Sequence, residues 1–160
     1  MNGTSTSYRI ERLRWWHLRH IAHLEKLIFG AEAWTDGMLW AELAAGHYYR
    51  VALPSRPEPG AQDEVLAYAG LALVPPEEAW INNIAVAPAA RGRGIARALL
   101  EDLLSHARDQ GIQSVLLEVA VDNMPAQILY DSFGFDTVGI RKGYYQPSNT
   151  DAAVMRMELQ

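Results

Sequence analysis

The sequence predicts an α/β (α+β) chain built on one mixed sheet, with about seven strands and about four helices lying on both of its faces. Three observations predict it. The hydrophobic period switches along the chain in the order β-α-α-β-β-β-α-β-α-β-β. The length of 160 residues suits one domain with one core. No repeat, low-complexity tract or second apolar cluster interrupts the pattern.

Tyr8 to Leu13 reads as the first strand. Trp15 to Phe29 reads as a helix, with Leu18, Ile21, Leu24 and Ile28 near helical spacing. Thr35-Asp36 can cap a second helix carrying Leu39, Trp40 and Leu43. Tyr48 to Leu53 and Val65 to Val74 are β-rich runs joined by a loop through Pro54, Pro57, Pro59 and Gly60, and Pro75-Pro76 is a turn. Trp80 to Val86 is the next strand, closed by Pro88. Gly94 to Arg108 has one stripe of Ile95, Leu99, Leu103 and Ala107, widened by Leu100 and Leu104, with Gly111 where a C-terminal cap belongs. Ser114 to Val121 is a strand. Pro125 lies just inside the following helix, after a cap at Asp122 or Asn123, and that helix ends near Gly134. Thr137 to Tyr144 and Ala152 to Leu159 close the chain as strands.

Composition excludes several chemistries. Apolar residues make up 49% and charged residues 21%, as in soluble globular proteins, and no apolar run approaches a membrane span. Residues 1–7 are polar, lack the layout of a signal peptide, and read as a disordered lead-in to a cytoplasmic protein. There are 0 cysteines, which removes disulfides, thiolate metal sites and an acyl-cysteine mechanism. The net charge of −5 argues against nucleic acid as a partner. His17, His20 and His23 recur at a spacing of three on a predicted helix, but no supporting ligand pattern accompanies them, so no metal site is expected.

Arg91-Gly92-Arg93-Gly94-Ile95-Ala96-Arg97 follows a strand and opens a helix. The first turn of a helix leaves about four backbone N–H groups unpaired, and its dipole favours anions there. Small residues at Gly92, Gly94 and Ala96 let a phosphate approach those groups, and the arginines add charge. The spacing fits neither a dinucleotide fingerprint nor a P-loop. From this stretch alone, an ordinary glycine turn with a solvated basic edge is an equal reading.

Here the chain resembles a known family. Arg91-x-x-Gly94-x-Ala96 is similar to the Q/R-x-x-G-x-G/A signature of the GCN5-related N-acetyltransferases, and Leu129-Tyr130-x-x-x-Gly134-Phe135 is similar to their second common mark. The resemblance implies a single domain over residues 8–160 with a mostly antiparallel sheet, whose splayed central strands form the cleft for acetyl-coenzyme A as acetyl donor. It implies that residues 91–97 hold the pyrophosphate, that backbone groups of Ile84, Ala85 and Val86 pair with the pantetheine arm, that Asn123 bonds the same arm, and that Tyr130 lies near the sulfur.

The residue types suit acyl transfer. A free α-amine has a pKa near ~7.8 and a lysine near ~10.4, so deprotonating a lysine costs about 3.5 kcal/mol more at a given pH. Glu118 can take the proton, Tyr130 can donate to the departing thiolate, and the Val86 N–H can polarise the carbonyl. Glu118 alternates with Val115, Leu117 and Val119 and therefore faces the other way. The bland readings are a solvent-facing strand glutamate, a helix tyrosine half in the core, and a plain helix cap at Asn123.

Ala33-Trp34-Thr35, Asn83-Ile84-Ala85-Val86, Leu117-Glu118-Val119, Ile140-Arg141-Lys142-Gly143-Tyr144-Tyr145, and Asp151-Ala152 with Met155 look like the RimI-type ribosomal-protein alanine N-acetyltransferases. That subgroup implies transfer to the N-terminal amine of a small-subunit ribosomal protein, with Glu118 as base, Tyr130 as acid, and Trp34, Asn83, Tyr144 and Tyr145 beside the peptide. Gly143 departs from it, since asparagine is often found there. The expected partner is a protein or peptide N-terminus, with no membrane or nucleic acid, and the chain is expected to be a monomer or weak dimer. The alternative is the same chemistry on a small-molecule amine or on lysine side chains.

Overall fold

The computed structural model of the chain describes residues 8–56, 64–74 and 76–159. The lead-in over residues 1–7, most of the connection after Pro54, and Pro75 of the expected turn lie outside them. Among the described residues, seven strands and four α-helices follow one another as β1 Tyr8–Arg12, α1 Leu18–Phe29, α2 Asp36–Ala44, β2 Tyr48–Pro54, β3 Ala67–Val74, β4 Glu78–Val86, α3 Ile95–Asp109, β5 Ser114–Ala120, α4 Met124–Phe133, β6 Asp136–Tyr145 and β7 Thr150–Glu158. The strands form one sheet in the order β1-β2-β3-β4-β5-β7-β6.

β1 and β2 are antiparallel, as are β5 and β7, and β6 and β7, whereas β4 and β5 run parallel. A parallel pair needs a crossover, and α3 supplies it. The parallel ladder joins Glu78–Ile81 to Ser114–Leu117, while β4 continues to Val86 and β5 to Ala120.

The chain divides into two compact units, Met1–Gly70 with Asn83–Leu100, and Leu71–Asn82 with Glu101–Gln160. In the first, Leu18, Ile21 and Leu24 of α1 and Leu39 of α2 share a core with Val51, Leu53, Val65 and Tyr68. In the second, Leu103, Leu104, Val115, Leu117, Val119 and Phe135 are buried. The whole stripe predicted for α3, from Ile95 to Ala107, is buried.

The predicted first helix begins differently. Trp15–His17 form a single 3₁₀ turn before α1. His17 is buried and its Nδ1 accepts the Arg14 N–H at 2.9 Å, a local bond that holds Arg14 extended and tightens the turn. The α2 cap is as expected, with the Thr35 hydroxyl accepting from Met38 N–H at 3.2 Å.

Two helices end in the same motif. After α3, Ile112 N–H reaches Ala107 C=O and Gly111 N–H reaches Arg108 C=O, with Gly111 at φ +76°. After α4, Phe135 N–H reaches Tyr130 C=O and Gly134 N–H reaches Asp131 C=O, with Gly134 at φ +101°. These paired bonds define the Schellman cap, which favours an apolar contact between its outer residue and the last turn. Phe135 makes that contact with Tyr130, the two rings meeting edge to face at 5.9 Å.

Candidate active site

The second unit contains Glu118, Tyr130, Tyr144 and Tyr145. On β5, Glu118 alternates with buried Val115, Leu117 and Val119, so its side chain stands on the opposite face with Leu116 and Ala120. Register extends that face across the sheet: Trp80 lies opposite Leu116, and Arg141 lies opposite Ala152, which lies opposite Ala120. Residues directly opposite one another share a face. Trp80, Glu118 and Arg141 therefore stand on one side.

Their side chains meet there. Arg141 Nε and Glu118 Oε1 form an ion pair at 3.2 Å, with the Glu118 side chain 14% exposed and that of Arg141 53% exposed. The guanidinium carbon lies 6.0 Å from the Trp80 ring centre and 5.8 Å from that of Tyr144. The Tyr144 phenol lies within electrostatic reach of the Glu118 carboxylate. Partial burial, with the neighbouring carboxylate adding to it, pushes the Tyr144 phenol up to about 12. Tyr145 braces Tyr144 edge to face at 4.9 Å. The turn beyond is held by Asp151, which accepts from Gly143 N–H at 2.8 Å and Lys142 Nζ at 3.0 Å. Glycine suits position 143: it sits at φ +60°, and a Cβ would stand 2.5 Å from Asn149 Oδ1, so the Asn149 side chain would have to shift to admit one.

Tyr130 is buried on α4, and burial pushes its phenol up to about 12. Asn123 is the α4 cap, its Oδ1 accepting from Ala126 N–H at 3.3 Å. The capping reading of Asn123 thus holds, and its exposed position leaves the remaining amide valences available.

The first unit contains Trp34, Asn83, the 84–86 segment and the glycine turn. Strand alternation puts Asn83 on the face of buried Ile81 and Ala85. Its Nδ2 donates to Tyr68 Oη at 3.2 Å, and its Oδ1 lies 3.0 Å from the Tyr49 hydroxyl. That hydroxyl is also 3.1 Å from Glu42 Oε2, so its single proton is shared between two acceptors. Trp34 packs partly buried against the core, and its N–H donates to Glu25 Oε1 at 3.0 Å. Glu25 is itself 1% exposed, and its Oε2 is buried with no partner at hydrogen-bonding distance. Burial dominates over the Trp34 amide and the nearby Tyr68 hydroxyl, and holds the Glu25 carboxyl above its usual range. Burial likewise raises the Tyr68 phenol, and the Glu25 charge adds to the effect.

In the turn, Gly92 has φ +81° and Gly94 φ +77°, a region disfavoured for side chains bearing Cβ. Nothing lies within 4 Å of where a Cβ would project at either glycine. Ala98 N–H bonds Gly94 C=O, which starts α3. Arg91, Arg93 and Arg97 are exposed around this end, with Arg91 Nε donating to Val86 C=O at 3.3 Å. An open, amide-rich helix start flanked by three cations fits a diphosphate.

Sequence reasoning assigned no role to Trp80 or Arg141, whose meeting with Glu118 depends on strand register. It also passed over Glu25, although a signal existed: Glu25 is four residues after Ile21 and seven after Leu18, on the buried stripe of α1.

A model of the acetyltransferase (GNAT) family matches residues 12–135. The chain is 40% identical over 141 residues to N-alpha-acetyltransferase RimI of Mycobacterium tuberculosis, covering 86% of this chain and 84% of that one. It is 39% identical over 101 residues to the ribosomal protein bS18-alanine N-acetyltransferase of Haemophilus ducreyi, covering 61% and 69%. The crystal structure of the ribosomal-protein-S18-alanine N-acetyltransferase from Escherichia coli aligns with TM-score 0.83 at 27% identity, over 96% of this chain and 95% of that one. Among the described residues, no helix is long and apolar enough to cross a membrane.

Proposed function

The chain belongs to the acetyltransferase (GNAT) family and is an acetyl-coenzyme A-dependent N-acetyltransferase, and on that premise we propose that it acetylates the N-terminal amine, of alanine first, of a small-subunit ribosomal protein in the cytoplasm. The observation that carries this reading is the setting of Glu118: a shielded carboxylate on a mostly apolar strand, paired with a guanidinium that lies within 6.0 Å of the Trp80 ring and 5.8 Å of the Tyr144 ring. Such a setting receives a cationic amine and offers it a base. The relatives' activities supply the class of acceptor.

The roles divide as follows in this reading. Backbone amides at the start of α3, with Arg91, Arg93 and Arg97, bind the donor's diphosphate. Ile84, Ala85 and Val86 hold the pantetheine arm, and the Val86 N–H polarises the acetyl carbonyl. Asn123 bonds the same arm. The donor supplies an activated acetyl group as a thioester. Glu118 accepts the amine's proton, directly or through water, as the amine attacks that carbonyl. Tyr130 keeps its proton at neutral pH and donates to the departing sulfur. A phenol near 12 is a weaker acid than a thiol near ~8.5, so Tyr130 stabilises the thiolate by a hydrogen bond rather than by full proton transfer. Trp34, Asn83, Tyr144 and Tyr145 flank the peptide, with residues 8–160 acting as one domain.

The test is a mass-shift assay of the protein with acetyl-coenzyme A and short peptides beginning with Ala, Ser or Met, or carrying an internal Lys. Addition of one acetyl group to the Ala-start peptide is expected. Modification of lysine alone, or of no peptide while a small amine is acetylated, would replace this acceptor with the other.

A further inference from the structure

Arg141 has no part in the chemistry above, yet its guanidinium pairs with the carboxylate read as the base. Its Nε lies 3.2 Å from Glu118 Oε1, and its guanidinium carbon stands 6.0 Å and 5.8 Å from the Trp80 and Tyr144 ring centres. Both distances are within the range at which a cation is drawn to an aromatic face. A carboxylate oxygen with two rings beside it is a receptor for a small cation bearing N–H donors. A protonated α-amine has the same charge and the same kind of donors. Resting on the reading of Glu118 given above, we propose that the side chain of Arg141 occupies the acceptor's ammonium subsite, so that a tethered guanidinium must leave before an amine can enter.

Three features make the occupant displaceable. The Arg141 side chain is 53% exposed, and ion pairs at exposed positions are weak. A flexible stem lets it swing into solvent from β6. Glu118 keeps a polar neighbour when it departs, because the Tyr144 phenol stands close enough to feel the carboxylate charge. The guanidinium is thus a tethered plug that an incoming ligand must displace. It opens by competition.

This has a consequence for selectivity. An amine that brings no other contacts competes with a permanently tethered cation and binds poorly. An extended peptide whose following residues add contacts offsets the displacement. Arg141 is thereby a specificity-determining residue that favours N-termini of chains over free small amines.

The experiment uses the full chain labelled with 5-fluorotryptophan, the Trp80 resonance being identified by its loss in Trp80→Phe. Methylguanidinium and an Ala-start peptide are titrated into the parent, Arg141→Met and Arg141→Lys proteins. Arg141→Met keeps an apolar stem of similar reach and removes the charge. It should bind both ligands at least threefold more tightly than the parent, with a matching fall in peptide KM and acetyl-coenzyme A KM unchanged within twofold. Arg141→Lys restores a tethered cation and should return affinity towards the parent value. Equal or weaker binding by Arg141→Met would overturn the proposal and make Arg141 a peptide contact or a bystander. Should the parent acetylate no peptide, the functional reading fails, yet the methylguanidinium titration still decides the subsite.

Discussion

The ring of Tyr49 fills the space that a side chain at Gly70 would take: a Cβ there would stand 2.1 Å from two Tyr49 ring carbons. Gly70 is on β3 with an ordinary strand conformation, so its need for glycine is steric. Gly70→Ala should therefore destabilise the first unit by about 1–3 kcal/mol or more, the range for overpacking a tight site. It should also pull the Tyr49 hydroxyl from Asn83 and Glu42. A fall in urea midpoint would show the cost, and pairing the change with Tyr49→Leu should recover part of it. Full stability of Gly70→Ala would mean the ring relocates freely.

Replacing the proposed base separates chemistry from binding. Glu118→Gln keeps shape and an acceptor oxygen but cannot take a proton. Turnover should fall about 10²–10⁴-fold, the range for losing a general base, with acetyl-coenzyme A affinity unchanged within twofold. Steady-state kinetics across a pH series checks this. Undiminished turnover would move the base elsewhere.

The glycine turn makes an independent prediction. A β-branched residue at Gly94 meets a backbone at φ +77° that it rarely adopts. Gly94→Val should remodel the start of α3 and abolish acetyl-coenzyme A binding in calorimetry, while circular dichroism stays close to that of the parent. Retained binding would remove the turn from the donor site.

Glu25 predicts an unusual pH dependence. Its folded carboxyl titrates above the ordinary 4.5, so the folded state holds a proton that the unfolded chain has lost. Its contribution is fully present below about 4.5 and is lost as pH rises through the folded value. Glu25→Gln keeps an oxygen for the Trp34 N–H and cannot ionise. It should match the parent in stability near pH 4 and exceed it at pH 8, as read by urea unfolding at both. A loss of stability at pH 8 would show that the ionised carboxylate is favourable in its buried site.

Much of this was legible in sequence. The apolar stripe of α3 fixed its buried face, and simple alternation set Glu118 apart from Val115, Leu117 and Val119. Thr35 and Asn123 announced two helix starts by residue type. What was hidden depends on pairing. Arg141 comes beside Glu118 and the Trp80 ring only through the registers β4–β5, β5–β7 and β7–β6, and local periodicity carries no register. Gly70 was hidden for the same reason, because the group it accommodates is far away in sequence. Glu25 was hidden by the custom of reading only apolar residues into a helical stripe.

Tyr130 offers a separation of architecture from chemistry. Its ring seals the α4 cap against Phe135, with the rings 5.9 Å apart. Tyr130→Phe should leave the melting temperature within a few degrees of the parent while turnover drops about 10²-fold, the scale for losing one hydrogen-bond donor to developing charge. Comparable turnover would release the phenol from its donor role.

The Tyr130-x-x-x-Gly134-Phe135 spacing is thus a folding instruction before it is a catalytic one. A descendant that abandoned acetylation would still need the glycine and both rings to finish its helix. What the donor role proposed for Tyr130 would add to that architecture is a single oxygen atom.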